Sequence, residues 1–99
     1  MMDEFEISAV VGRMARPDEI EYMLGQFGCR PHVTQHQDFT VFVNSERAFS
    51  ASCAMASFMR KLECLQVRFD YITVGGARDA IVGYEAALAG LDSLVRRAA

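Results

Sequence analysis

The chain has 99 residues, a 52% hydrophobic fraction and a formal charge of −3, the profile of one small globular domain and not of a disordered polyelectrolyte. No apolar run approaches the roughly 20 residues a membrane span needs, and a net negative charge with a single lysine argues against direct nucleic-acid binding. Cys29, Cys53 and Cys64 are odd in number and form no C-x-x-C pair, so reduced thiols are expected in place of a disulfide framework.

The first residues, Met1-Met2-Asp3-Glu4-Phe5-Glu6, carry acid where a signal peptide carries base, so a cytoplasmic location is expected. Residues 5–11 alternate apolar and polar and then turn apolar on both sides, which reads as a strand that enters from solvent and ends inside. Pro17-Asp18-Glu19 opens a helix, with proline at the first helical position and acids in the first turn. Ile20, Met23, Leu24 and Phe27 supply its apolar stripe and Gly28 its left-handed cap, giving a helix from Pro17 to about Phe27.

Arg30-Pro31 restarts the chain in an extended form. Residues 32–36 read as a short polar edge strand that turns at Gln37-Asp38 into Phe39-Thr40-Val41-Phe42-Val43, an inner strand. The turn carries no Asn-Gly or Asp-Gly. Were residues 32–36 a loop, the pattern would instead suggest a small parallel α/β sheet. Asn44-Ser45-Glu46 resembles a helix start, and a helix over residues 46–64 would bury Ala48, Phe49, Ser52, Cys53, Met55, Ala56, Met59 and Leu62, with Arg47, Ser50, Ser57 and Lys61 opposite.

Leu65, Val67, Phe69 and Tyr71 then alternate with polar residues, and the phase changes at Ile72 and Val74, as if a bulge sat near Tyr71 or something covered the other face. Gly75-Gly76 ends this strand. Residues 77–97 form a last helix in which Ile81, Tyr84, Leu88, Leu91 and Val95 repeat at 3-4 spacing, a narrow seam for its own sheet or for a second copy. Ala80, Gly83, Ala87 and Gly90 run beside it and suggest a close approach. Strand-helix-strand twice over, joined by a hairpin, is the ferredoxin-like α+β arrangement, here with an added C-terminal helix.

The candidate chemistry is sparse. Cys29-x-x-His32-x-x-x-His36 with Asp38 has metal-ligand residue types, but residues four apart on a strand lie about 13 Å apart, so no metal is expected. The Gly75-Gly76 turn into a helix is reminiscent of a phosphate-binding turn but lacks its motifs, and Asp79 would repel an anion. Arg13 and Arg16 before the first helix invite the same thought and meet the same objection from Asp18 and Glu19. Phe5, Phe39 and Phe42 raise the question of an RNA-stacking sheet, which the electrostatics oppose. Cys29 beside His32 or His36 is the only nucleophile-base pair and has no orienting group, so no catalytic residue, no cofactor and no enzyme activity are expected.

What remains is charge. Residues 1–21 hold six acids (Asp3, Glu4, Glu6, Asp18, Glu19 and Glu21) against Arg13 and Arg16, a local charge of −4, while the rest carries +1. This acidic quarter points to a protein partner with a basic surface. In size and acidity the chain is similar to the small inhibitors carried by phages and mobile elements, anti-CRISPR proteins among them. That likeness, one of composition, implies binding to a nucleic-acid-handling complex; the seam of the last helix leaves monomer and homodimer both open. The reading from another class is a ferredoxin-like small-molecule sensor, dimeric, with its ligand near Gly12 or Gly75.

Overall fold

A computed structural model of the chain describes the backbone of residues 1–98 and the side chains of residues 1–90. The elements are β1 (Asp3–Gly12), α1 (Pro17–Gly25), β2 (His32–Gln35), β3 (Phe39–Ala48), α2 (Ala51–Cys64), β4 (Tyr71–Val74) and α3 (Ala77–Ala98). The strands form one sheet in the order β2-β3-β1-β4, and every neighbouring pair is antiparallel. This is the ferredoxin-like α+β arrangement with an added C-terminal helix, as the element order implies.

β1 and β3 pair along their full lengths, from Asp3 opposite Ala48 to Gly12 opposite Phe39. Strand alternation then sorts the sheet into two faces. Ile7, Ala9, Val11 and Phe42 point toward α1 and α2 and form the larger core with Leu24, Ala54, Phe58 and Leu62. Val10, Val41 and Val43 point the other way and are covered by Ala80, with Ala77, Ile81 and Tyr84 of α3 packed alongside. The sheet is therefore buried on both faces, which is why its two central strands read as nearly continuous apolar runs.

Several boundaries differ from the sequence reading, each for a physical reason. Residues 44–48 continue β3 and do not open a helix, because Asn44 and Glu46 fall on the helix-facing side of the strand and find partners there. The N-cap of α2 is Ser50, whose Oγ accepts from the Cys53 amide at 3.2 Å. With the start moved, the buried face of α2 is Ala54, Phe58 and Leu62, while Phe49 and Cys53 lie in solvent. α1 ends at Gly25, with Gly28 left-handed beyond it at φ +80°, and Phe27 is exposed.

The phase change before β4 is likewise no bulge. Residues 66–70 form a loop with Gln66 at φ +58°, so that Leu65, Val67 and Phe69 return to the α1/α2 core. β4 itself is only four residues long. Within it Tyr71 faces α3 and Ile72 faces the larger core.

The β2–β3 turn is held without an Asn-Gly pair. His36 N–H donates to the Phe39 carbonyl at 2.8 Å, and Arg13 Nη1, reaching over from the β1–α1 loop, donates to the His36 and Gln37 carbonyls at 3.1 and 2.7 Å. The Arg13 guanidinium thus serves the hairpin, not an anion. Among the described residues no helix is long and apolar enough to cross a membrane.

Candidate binding face and the buried cluster beside it

α1 carries Asp18, Glu21, Tyr22 and Gly25 at helical spacing, and these residues with Gln26, its C-cap, form one wall of a cleft of about 800 Å³. The facing wall is residues 29–32, which lead into β2 and include Arg30 and His32. Two sequence features make the cleft. The Gly28 turn and Pro31 swing the chain back past the helix end, and Gly25 has no side chain, with open space where a Cβ would point. Tyr22 is 72% exposed, a large aromatic side chain set among carboxylates.

Charge on this wall is only partly offset. Arg16 lies 3.8 Å from Asp18 and 3.2 Å from Glu19, with all three side chains more than half exposed, so these pairs are weak and screened. Glu21 has no ion-pair partner among the described residues. The other three acids of the N-terminal quarter are elsewhere. Asp3, Glu4 and Glu6 occupy the first half of β1 and do not line the cleft. Of the six acids grouped in the sequence, Asp18 and Glu21 line the cleft.

Next to the cleft is a buried polar cluster that the sequence reading did not find. Asn44 and Glu46 are 2% and 4% exposed. Lys61 Nζ, from α2, donates to both carboxylate oxygens of Glu46 at 2.8 and 2.9 Å, and Asn44 Nδ2 donates to Glu46 Oε2. Asn44 Nδ2 also lies 3.5 Å from the sulfur of Cys29, itself buried and part of the cleft wall. The alternation Phe42, Asn44, Glu46, Ala48 held the signal, since a strand continued through Val43 points all four to one side.

Chemically this cluster is a tie between β3 and α2. Burial pushes the Cys29 thiol above its ordinary value, against the opposing pull of the nearby Lys61 charge. Cys29 is therefore protonated at neutral pH and a poor nucleophile. His32 and His36 do not join it: His32 is exposed, and His36 stacks on Phe39 with ring centroids 4.9 Å apart. Among the described residues no three metal-ligating side chains come together.

The remaining candidates are placed as follows. At the Gly75-Gly76 turn the Asp79 carboxylate accepts from the Gly76 amide at 3.3 Å, and the Ser8 hydroxyl donates to the Gly75 carbonyl at 2.6 Å; Asp79 fills the place an anion would take. Phe42 is fully buried, Phe5 packs on the larger core and Phe39 lies edge-on to Tyr84 at 5.3 Å, so none of the three is free to stack a base. Of the helical seam, Ile81 and Tyr84 pack on the protein's own sheet and Leu88 is exposed. Leu91 and Val95 lie outside the described side chains. No family model, characterised protein or solved structure matches the chain.

Proposed function

We propose that this protein is a binding module that docks on another protein through α1 and the cleft beside it, the partner presenting a basic surface. The observation that carries the reading is the combination on one helix wall of Asp18, Glu21 and a 72%-exposed Tyr22 around an open cleft. Exposed aromatic rings anchor protein interfaces well, and unneutralised carboxylates steer basic partners. Nucleic-acid-handling proteins expose basic grooves of this kind, so inhibition by occupying such a groove is the activity to assay. Asp3, Glu4 and Glu6 are peripheral to this face.

The test is amide chemical-shift mapping with a lysine-rich peptide as basic probe. Shifts should centre on residues 18–26, and charge reversal at Asp18, Glu19 and Glu21 should weaken binding at least tenfold. Charge reversal at Asp3, Glu4 and Glu6 should change it less. Binding unaffected by the α1 reversals would sink the proposal.

A further inference from the structure

We infer that the segment this protein takes is an extended strand that adds to the free edge of β2 and sends alternate basic side chains into the α1 cleft. The inference rests on the docking reading of α1 and specifies what occupies it. β2 is an outer strand of the sheet, and His32, Thr34 and Gln35 are exposed. His36 N–H is turned toward Phe39, and residues of an antiparallel strand alternate in the side their backbone groups face. Thr34 and His32 therefore also bond inward, paired with Val41 and Val43, leaving the amides and carbonyls of Val33 and Gln35 to face outward. These are the groups an added strand would use.

The register of β2 decides where such a strand would place its side chains. Val33 and Gln35 pair with Phe42 and Thr40 and so lie on the α1 side of the sheet, where Val33 packs on the larger core. Residues of the incoming strand opposite Val33 and Gln35 point to that same side, and the next ones point away. The cleft opens at the His32 end of that edge and offers Asp18, Glu21 and the Tyr22 ring, a set that complements Lys or Arg both by charge and by ring-face attraction. A second copy of β2 would bring no lysine or arginine to this edge, whereas a basic segment also carries the charge that matches the cleft.

Two peptides of equal composition test this, one alternating Lys and Thr, the other with the same residues in two blocks. The alternating peptide should bind at least tenfold more tightly, and the Val33 and Gln35 amides should become protected from hydrogen exchange. Gln35→Pro removes an outward backbone amide and no inward backbone one, together with the Gln35 Nε2 bond to the Met14 carbonyl that Gln35→Ala removes alone, so cross-strand contacts between β2 and β3 should persist in both variants while alternating-peptide affinity falls at least tenfold only in Gln35→Pro. Gly25→Leu, which fills the cleft from a position with free space around it, should weaken binding similarly. Equal affinity of the two peptides, no protection at Val33 and Gln35, or an unaffected Gln35→Pro variant would overturn strand addition. If Asp18→Lys with Glu21→Lys still weakened binding in that event, docking on α1 would stand without it; if these too had no effect, both readings would fall.

Discussion

Glu46 and Lys61 show what a single residue pair decides in this protein. A carboxylate with a 3%-exposed side chain is held by a lysine that is 24% exposed, so the pair is dry on one side and wet on the other. Removing only the cation leaves the carboxylate buried with Asn44 alone, and Lys61→Met is expected to cost about 3 kcal/mol in urea unfolding. The double variant Glu46→Leu with Lys61→Met should recover most of that loss, because no charge is then left unpaired. Cys29 makes a separate prediction. Its thiol is raised above the ordinary 9.0 in the folded chain, so the stability it contributes is complete below pH 9.0 and is lost as pH rises through the higher folded value. Wild type should therefore lose stability above pH 9 more steeply than Cys29→Ala, measured by denaturant midpoint. At neutral pH a thiol-directed reagent should modify Cys53 and Cys64 well before Cys29, since the first two are exposed.

At the scale of elements, α3 divides into two regimes that its two interior glycines distinguish. A Cβ on Gly83 would lie 2.8 Å from Tyr71 Cζ, and the Tyr71 ring is itself packed against Tyr84 at a centroid distance of 6.3 Å, so it has little room to move. Gly83→Ala is expected to destabilise by about 1–2 kcal/mol, the overpacking cost exceeding the gain in helix propensity. Gly90 has nothing within 4 Å of its Cβ position, and Gly90→Ala should stabilise by about 0.5–1 kcal/mol. Thermal midpoints of the two variants should thus move in opposite directions. The small-residue line beside the seam announced a close approach, and the fold supplies one at Gly83 but not at Gly90. The β2–β3 turn teaches a similar point, because its geometry depends on Arg13, more than twenty residues away in sequence.

For the molecule as a whole, the decisive feature is that both faces of the sheet are covered. A chain ending at Gly76 would uncover Val10, Val41 and Val43, and it should self-associate or bind a hydrophobic dye. From Glu85 to Gly90 every residue is exposed, so this part of α3 adds little to either core. Local signals in the sequence were enough for the element order: Pro17 and Gly28 bracketing α1, the aromatic and β-branched run at residues 39–43, and Gly75-Gly76 before α3. Their order implied the ferredoxin-like sheet, because a hairpin between two strand-helix-strand units leaves few other topologies. Three things were decided only by tertiary contacts. Residues 44–48 look like a helix cap until Lys61 arrives to hold Glu46; the buried face of α2 shifts once its start moves to Ala51; and of the N-terminal acids only Asp18 and Glu21 come to line the cleft. A helix cap and a strand end use the same polar residues, and net charge carries no coordinates. The cleft exists because distant segments meet, so no local pattern could announce it.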